Sequence, residues 1–236
     1  DYRKTWELQK SIQRRLVEEK RNNPRHQVPH VLLTVEHPPV YTLGKSGDDS
    51  NLLINDHDLS ALGASFVHID RGGDITFHGP GQLVAYPILD LGHFYTDIHR
   101  YLRELEQVVI LTCAAFGLAT GRVHGLTGVW TRSTESLASR KICSMGIKCS
   151  RWVTSHGLAL NVHTDLSYFS KIVPCGIQGA AMTSLARETG SSLTVGEVLP
   201  RFVESFADVF GVTTEQYGVD ESQSVLSSYV SERVKS

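Results

Sequence analysis

The sequence predicts an α+β domain in which helices flank a mixed β-sheet. Patterns typical of strands cluster in the middle of the chain, helical patterns lie near both ends, and one further helical pattern separates two groups of strands. Because strands and helices do not alternate regularly, a purely parallel βαβ sheet is not favoured. The 236 residues suffice for one large domain with a substantial core. We expect that domain to cover residues 1–212, followed by a polar tail over 213–236 that forms a terminal helix or a frayed end.

Helices are predicted where apolar residues recur every three or four positions. The three predicted helices cover residues 5–20, 96–112 and 194–206. Thr96 or Asp97 can cap the second helix, and Thr194 with Glu197 resembles a capping box at the start of the third. Pro200 falls inside the third helix, so we expect that helix to kink or restart there.

Strands are predicted where short apolar runs with β-branched residues lie between Gly, Pro and polar turns. Such runs cover residues 31–35, 40–43, 65–69, 74–77, 82–89, 123–130, 141–148 and 157–162. Short strands in this number are enough to build a sheet that helices can cover.

Composition excludes several classes of function. The net charge of -2 gives no reason to expect nucleic-acid or membrane-surface binding. The longest apolar stretch, residues 108–118, is interrupted by Thr112 and is shorter than the roughly 18 residues of a membrane span. None of the four cysteines forms a C-x-x-C pair, so a reducing compartment without disulfides is expected.

A glycine-rich segment, R-G-G-D-I-T-F-H-G-P-G-Q, covers residues 71–82. Such a loop can expose amide N–H groups to a ligand carbonyl or phosphate, or it can simply form two hairpin turns. It is not a dinucleotide-binding fingerprint, because the G-x-G-x-x-G spacing fails at Val84. Gly44-Lys45-Ser46 is not the end of a phosphate-binding P-loop, because Pro39 stands where the first glycine is needed.

Cys175 lies between Pro174 and Gly176, on a turn and outside any periodic apolar face. This placement favours the partial exposure that a nucleophile needs, although a buried thiol is the commoner fate of a free cysteine. Lys141 begins a predicted strand, where a lysine is usually a solvated edge residue. The sequence spacing alone does not decide whether Cys175 is a nucleophile or a buried thiol, or whether Lys141 is a functional or a solvated edge residue.

Four segments together resemble the lipoyl(octanoyl) transferase family. They are R-G-G-D-I-T-F-H-G-P-G-Q at 71–82, K-I-x-x-x-G-I at 141–147, T-S-H-G-L-A-L-N at 154–161 and V-P-C-G at 173–176, in the order and spacing of that family. The resemblance covers most of residues 1–190. It implies a fold of the biotin/lipoate ligase type, built on a mixed sheet, with residues 1–212 as the catalytic domain.

The resemblance also implies the site. Cys175 would be the nucleophile that accepts the acyl group, and Lys141 would lower the pKa of its thiol and carry protons. The acyl-binding positions would be Arg71, Gly72, Gly73, Asp74, Ile75, Thr76, Phe77, His78, Ser144, Met145, Gly146, Gly157, Leu158 and Ala159. Exchange of one thioester for another needs no ATP, so no cofactor and no metal are expected. His78 would position the acyl carbonyl or the acceptor lysine, or only bond to backbone.

The implied partners are octanoyl-acyl carrier protein as the donor and apo lipoyl domains as acceptors, in 2-oxoacid dehydrogenase acyltransferase subunits and the glycine cleavage H protein. A monomer is expected, in the bacterial cytoplasm or alternatively in a mitochondrial or plastid matrix. Carrier proteins of this kind are acidic, and Lys45, Arg71, Lys148 and Arg151 could form a basic rim for them or be scattered solvated charges.

Three other functions remain open. An ATP-dependent lipoate or biotin ligase would not need Cys175. A zinc site could combine Cys143, Cys149, His156 and His163, although no pair has the usual spacing. A non-catalytic scaffold would bind lipoyl domains without carrying an acyl group. Ile75, Phe77, Met145 and Leu158 could line an acyl pocket, although ordinary core packing is their commoner role.

Overall fold

The computed structural model describes residues 1–22, 29–132, 138–173 and 181–231. Within them the α-helices are α1 (Tyr2–Asn22), α2 (Asp56–Ala61), α3 (Ile98–Ala115), α4 (Leu185–Thr189), α5 (Val195–Phe210) and α6 (Val219–Ser231). The strands are β1 (Val31–Val35), β2 (Val40–Leu43), β3 (Ser65–His68), β4 (Ile75–His78), β5 (Gln82–Ile88), β6 (Thr120–Gly121), β7 (Val129–Thr131), β8 (Lys141–Ser150) and β9 (Val153–Asn161). No described helix is long and apolar enough to cross a membrane.

The strands form two sheets. Six strands follow the order β1-β5-β9-β8-β7-β6, and every neighbouring pair in this sheet is antiparallel. Three strands follow the order β3-β2-β4, in which β2 is parallel to β3 and antiparallel to β4. The predicted α+β class with mixed pairing is confirmed, although the strands divide between two sheets.

Helices cover both faces of the six-stranded sheet. On one face α3 and α5 pack against β5, β8 and β9, where Tyr101, Phe202 and Leu158 are almost fully buried. On the opposite face α1 buries Ile12 and Leu16 against β1 and β5. Removing each of these large apolar side chains from water contributes roughly 1.5–3 kcal/mol. This burial explains why the amphipathic period of the sequence locates these helices.

The predicted helix starts are confirmed. The Asp97 carboxylate accepts hydrogen bonds from the N–H groups of His99 and Arg100, and Thr194 with Glu197 forms a reciprocal capping box. The expectation that Pro200 restarts the helix is wrong, because α5 continues unbroken through it. Proline removes a single helical hydrogen bond there, and burial of the apolar face of α5 on the sheet offsets that loss.

The strand predicted over residues 123–130 is confirmed only at its end, where Val129 and Trp130 belong to β7, and is wrong over 123–128. The chain instead reverses between β6 and β7, and the N–H of Leu126 donates to the carbonyl of Val123 within this turn. Gly125 and Gly128 adopt φ angles of 77° and 113°, a region that L residues with side chains rarely enter. These two glycines are the turn signal that outweighs the apolar character of the segment.

The polar stretch at the end of the chain contains α6, which packs on α1. The guanidinium of Arg15 lies 4.2 Å from the ring centroid of Tyr229. The Tyr229 hydroxyl donates to the carbonyl of Pro29 at 2.7 Å. The described part of the tail is therefore a helix docked on the same face of the sheet as α1.

Candidate active site

An elongated cavity lies between the two sheets. Strands β8 and β9 form its floor, β4 and the glycine-rich loop before it form one wall, and Tyr2 of α1 closes it from the third side. Twelve of the fourteen predicted acyl-binding residues line this cavity, and so does Lys141. The fold thus brings together motifs that are up to about 90 residues apart in the sequence.

Gly72 and Phe77 are the two predicted residues that do not line the cavity. The N–H of Gly72 donates to the carbonyl of Ile147 at 2.8 Å, which fastens the glycine-rich loop to β8. The ring of Phe77 stacks on that of Tyr168 with centroids 4.4 Å apart, inside the core of the three-stranded sheet. Phe77 is therefore a core residue of the three-stranded sheet.

Several of the cavity glycines are needed for backbone packing. A Cβ on Gly146 would lie 2.8 Å from the carbonyl oxygen of Gly72, and one on Gly157 would lie 2.2 Å from that of Ala85. Both approaches are too close for a side chain, so these positions bring the loop and β5 against the floor strands. Asp74 also has an anchoring role, because its carboxylate accepts from the Asn51 amide at 2.8 Å.

Lys141 stands at one end of the cavity. Its side chain is buried, with 6% exposure, and its ammonium nitrogen lies 5.3 Å from the ring centroid of Trp130. A Cβ on Gly128 would lie 2.8 Å from Lys141 Cε, so the glycine leaves room for the lysine side chain. The backbone N–H of Lys141 donates to the carbonyl of Ala181, and the backbone carbonyl of Lys141 accepts from the N–H of Thr183, both at 2.9 Å.

Cys175 falls within residues 174–180, which lie outside the described residues. The described residues on either side are anchored: the N–H of Val173 donates to the carbonyl of Asn51 at 2.9 Å, and Ala181 pairs with Lys141. Ala181, six residues after Cys175 in the sequence, is therefore paired through its backbone with the predicted partner lysine.

The three cysteines that the structure describes are poor nucleophiles. Burial raises the pKa of the Cys113 thiol to about 12. Burial also holds the pKa of Cys143 far above its ordinary value, and partial burial raises the pKa of Cys149. Thiols with raised pKa values carry little thiolate at neutral pH.

The zinc hypothesis is wrong for the described part of the chain, which contains no group of three or more His, Cys, Asp or Glu side chains placed to hold a metal. Cys143 packs in the core beneath α3 and α5, whereas His156 bonds to Asp70 beside α1. The strands β8 and β9 pair closely, but these side chains face different layers.

A directed chain of hydrogen bonds runs beside the cavity. Its members, in order, are Arg71, Thr42, His78, Gln82, Asn161 and Thr183. The chain begins where Arg71 Nη2 donates to Thr42 Oγ1 at 3.1 Å. It ends where the Asn161 amide donates to the carbonyl of Thr183 at 3.0 Å, next to the pairing with Lys141.

The chain fixes the protonation of His78. The Gln82 amide nitrogen donates to the carbonyl of Phe77 and to Asn161 Oδ1, so Gln82 Oε1 must accept from His78 Nδ1 at 2.8 Å. His78 therefore carries its proton on Nδ1, and its Nε2 is an acceptor. Burial lowers the pKa of His78 to about 3, so the ring is neutral at physiological pH.

The opposite end of the cavity is held by Asp70, which precedes the glycine-rich loop. Its carboxylate accepts from Trp6 Nε1 at 3.0 Å, from Lys148 Nζ at 2.5 Å and from His156 Nε2 at 2.8 Å. The hydrogen bond from His156, together with Lys148, holds the pKa of Asp70 well below its usual range. Burial lowers the pKa of His156 despite the neighbouring carboxylate.

The predicted basic rim is wrong for two of its four members. Arg71 is buried and donates to the carbonyl of Thr42 at 2.8 Å, and Lys148 is paired with Asp70. Lys45 and Arg151 are exposed. Arg71 is used inside the molecule, and the charge of the partly exposed Lys148 is paired with Asp70, so neither is a free outward-facing charge of a rim.

Five residues line the cavity but were not predicted from the sequence to bind the acyl group: Tyr2, Tyr86, Trp130, His156 and Met182. His156 could have been found, because it immediately precedes the predicted Gly157 within a shared motif. The other four come from segments whose local pattern indicates only a helix, a strand or a turn.

The chain is similar to known proteins of one family along most of its length. The family model of the lipoyl protein ligase A/B catalytic domain matches residues 1–207. An octanoyltransferase of Flavobacterium johnsoniae is 52% identical over 215 residues, which are 89% of this chain and 92% of that protein. An octanoyltransferase of Bacteroides fragilis is 47% identical over 200 residues, which are 85% of this chain and 89% of that protein.

Solved structures confirm the fold. A bipartite lipoate protein ligase from Thermoplasma acidophilum matches with a TM-score of 0.67 at 14% identity, over 96% of this chain and 88% of that chain. A lipoate-protein ligase A bound with ATP matches with a TM-score of 0.65 at 14% identity, over 96% of this chain and 90% of that chain. At this identity the likeness concerns the fold alone. From the matching family model and the curated relatives, the chain belongs to the lipoyl protein ligase A/B catalytic domain family and, within it, to the octanoyltransferases.

Proposed function

We propose that this chain transfers an octanoyl group from the phosphopantetheine thioester of an acyl carrier protein to a lysine of a lipoyl domain, through a thioester on Cys175. The observation that carries the proposal is the position of Lys141. It is a buried lysine at one end of an elongated cavity, and its backbone is paired with Ala181, six residues after Cys175. The curated relatives named octanoyltransferase support the reaction class.

The cavity has the length that an octanoyl chain requires. Lys141 and Gly146 are five residues apart on β8, and a strand rises about 3.3 Å per residue, which gives a floor of roughly 16 Å. The seven C–C bonds of an extended octanoyl group span roughly 9 Å. The Lys141 side chain covers the first part of this floor, because a Cβ on Gly128 would approach both Lys141 Cε and the carbonyl oxygen of Cys143. From Cys143 to Gly146 the floor is roughly 10 Å, so a chain with its carbonyl at the lysine ammonium has its methyl end near Gly146 and Gly157.

Apolar walls supply the binding free energy. Ile75, Met145 and Leu158 line the cavity. At about 0.8 kcal/mol for each buried CH₂ group, burial of most of the chain contributes roughly 4–5 kcal/mol. We propose that the lipoyl group, which has the same backbone length, occupies the same slot.

In the first proposed step the Cys175 thiolate attacks the carrier thioester. The new C–S bond forms on Cys175, the old C–S bond breaks, and the electron pair leaves on the sulfur of the phosphopantetheine arm. A neighbouring ammonium favours the thiolate over the thiol. We assign that charge, and the proton that the departing thiolate takes up, to Lys141.

In the second proposed step the amine of the acceptor lysine attacks the Cys175 thioester. The C–N bond forms, the C–S bond breaks, and the amine proton passes to Lys141, directly or through water. The product is an amide and a regenerated cysteine. The tetrahedral intermediates need hydrogen-bond donors, for which backbone N–H groups of the glycine positions near Lys141 are the candidates.

No cofactor or metal takes part in the proposed reaction, because the carrier thioester is already activated. The proposed acceptors are the lipoyl domains of 2-oxoacid dehydrogenase acyltransferase subunits and the glycine cleavage H protein. We place the enzyme in the bacterial cytoplasm as a monomer. The bacterial origin of the named relatives supports this placement.

The test is intact-protein mass spectrometry after mixing the chain with octanoyl-carrier protein in the absence of ATP. We expect a gain of one octanoyl group that hydroxylamine releases and that apo lipoyl domain discharges. Cys175→Ser should abolish the adduct. Cys149→Ser is the matched control, because Cys149 is exposed and lies outside the cavity, and it should retain the adduct.

Two outcomes would contradict the proposal. Absence of an adduct on the wild-type chain would remove the thioester intermediate. Transfer of octanoate that requires ATP and survives Cys175→Ser would instead identify a ligase, which is the reaction named for the structural neighbours that share this fold.

A further inference from the structure

The end of the cavity opposite Lys141 is polar. In the β8–β9 pairing Gly146 lies opposite Gly157, and Ile147 lies opposite His156. His156 lines the cavity although it is only 2% exposed. By the strand geometry, this histidine stands where the outer half of a bound acyl chain would end.

The hydrogen bonds around His156 fix its tautomer. The Asp70 carboxylate is ionised and can only accept, so His156 Nε2 must carry the proton of the 2.8 Å bond between them. Burial keeps the ring neutral. His156 Nδ1 is therefore unprotonated, and its lone pair can accept a hydrogen bond, whereas Nε2 already donates to Asp70.

That lone pair has no partner. His156 Nδ1 is one of the few buried side-chain nitrogen atoms without a hydrogen bond in the described part of the chain. The backbone holds the ring in place at a cost, since His156 has φ = 57°, and its N–H donates to Gln9 Oε1 of α1 at 2.8 Å. A buried acceptor in a strained, well-anchored residue indicates that a ligand or a water supplies the missing donor.

We propose that the far end of the cavity recognises a hydrogen-bond donor on the acyl chain, and that His156 Nδ1 is the acceptor. The ligand class is a medium-chain acyl group that carries a hydroxyl or thiol in its outer half. His156 is then a specificity-determining residue, and Asp70 is the positioning residue that fixes its tautomer. This inference rests on the proposed octanoyl transfer, which it extends from unsubstituted to substituted chains.

The preference for a hydroxylated over an unsubstituted chain follows from whether the buried donor and acceptor each find a partner. An unsubstituted chain buries the lone pair of His156 without a donor, which carries a free-energy penalty. A hydroxyl at the right carbon satisfies the lone pair and is itself satisfied, whereas a hydroxyl at a neighbouring carbon is buried without a partner. The preference should therefore depend sharply on the carbon that carries the donor.

The experiment compares octanoyl-carrier protein with carrier loaded with 6-, 7- or 8-hydroxyoctanoyl groups, with kcat/KM for acyl-enzyme formation as the readout. For one of the three positions we expect a ratio of hydroxylated to plain chain that is about tenfold higher in the wild type than in His156→Gln. The glutamine amide lies at the level of Nε2 and can still donate to Asp70, but it places no acceptor where Nδ1 lies.

Trp6→Phe is the matched control. Trp6 donates to the same Asp70 oxygen as His156 but does not line the cavity, so this variant disturbs the network while keeping the Nδ1 acceptor. It should retain the wild-type ratio. Thermal unfolding of both variants reports any loss of folded protein, and the ratio of two substrates on one protein is independent of that loss.

Equal ratios in the wild type and His156→Gln at all three positions would overturn the inference, since a bound water would then satisfy Nδ1. A ratio that falls equally in Trp6→Phe would also overturn the role of the lone pair. The proposed function fails differently: the wild type would then form no acyl-enzyme even with plain octanoyl-carrier protein.

Discussion

Lys141 and His156 lie on paired strands at opposite ends of one cavity, but different kinds of interaction hold them. The backbone of Lys141 is fixed by hydrogen bonds to Ala181 and Thr183. The ring of His156 is fixed by a side chain, Asp70, which Trp6 and Lys148 also contact. Backbone pairing does not depend on side-chain identity, whereas a side-chain network fails when one member changes.

This difference predicts which substitutions should change activity or acyl binding at each end of the cavity. At the Lys141 end, substitution of the lysine itself should have the largest effect on activity. The backbone hydrogen bonds that position it tolerate changes in neighbouring side chains. At the His156 end, residues that do not touch the acyl chain should still change its binding. The predictions below test this contrast from the largest expected effect to the smallest.

Lys141→Ala should lower the rate of acyl-enzyme formation by about 10³-fold, because it removes both the charge and the proton carrier. Lys141→Arg keeps the charge but not the proton transfer, since a guanidinium stays protonated. It should therefore lower the rate of acyl-enzyme formation nearly as much, while iodoacetamide still alkylates Cys175 at close to the wild-type rate.

Single-turnover kinetics measure the rate of acyl-enzyme formation in both variants. Lys4→Ala, at an exposed position of α1, is the control. An unimpaired Lys141→Ala would exclude the lysine from the chemistry.

Glu106 supports the Lys141 end from beneath. Its carboxylate is fully buried and accepts from Arg103 at 2.7 Å, from Arg122 at 2.9 Å and from the N–H of Gly128 at 3.1 Å. Gly128 in turn leaves the space for Lys141. Glu106→Gln should reduce the free energy of unfolding by about 2–3 kcal/mol, because it removes charge from buried hydrogen bonds to arginine.

Denaturant unfolding measures that loss. Glu204→Gln is the matched control, because Glu204 forms an exposed pair with Arg201 on α5 and should change stability by less than about 0.5 kcal/mol. Equal small effects of the two substitutions would mean that Glu106 does not hold the Gly128 turn.

Buried histidines should make the His156 side of the molecule acid-sensitive. Burial lowers the pKa of His37 to about 4 and that of His78 to about 3. In the unfolded chain a histidine has a pKa near ~6.5, so below that pH the unfolded state binds more protons. Stability is therefore complete above about pH 6.5 and is lost as the pH falls toward 4.

Each such histidine should contribute a slope of up to about 1.4 kcal/mol per pH unit in this window. His37→Asn should remove one histidine's share of the slope between pH 6.5 and 5, as measured by denaturant unfolding at a series of pH values. His57→Asn, at an exposed position of α2, should leave the slope unchanged. An unaltered slope in His37→Asn would show that His37 is already protonated in the folded state.

The sequence locates the parts of the site that lie in short motifs. Lys141 begins the K-I-x-x-x-G-I segment, and twelve of the fourteen motif residues expected to bind the acyl group line the cavity. Cys175 lies outside the described residues, so its role stays a prediction. The helix starts at Asp97 and Thr194 were also predictable, because capping is local chemistry.

The network at the other end could not be predicted in this way. Asp70, Trp6 and Lys148 belong to three segments between which no local rule states a contact, and each has an ordinary local role as a polar surface residue. The division of the strands into two sheets has the same cause, because which strands become neighbours depends on packing across the whole chain. Phe77 was assigned to the cavity because the motif is one continuous run of residues, and the sequence does not show that Tyr168, about 90 residues later, packs on this ring.

Asp70→Asn should give the smallest of these effects. It removes the charge that Lys148 and His156 face, so the loop at residues 71–78 should be held less firmly and KM for octanoyl-carrier protein should rise about fivefold with kcat nearly unchanged. Asp49→Asn is the matched control, because Asp49 pairs with His68 on the exposed surface. Steady-state kinetics separate KM from kcat. A fall in kcat at constant KM would place Asp70 in the chemistry at Lys141, and the contrast between a backbone-held and a side-chain-held end would then be lost.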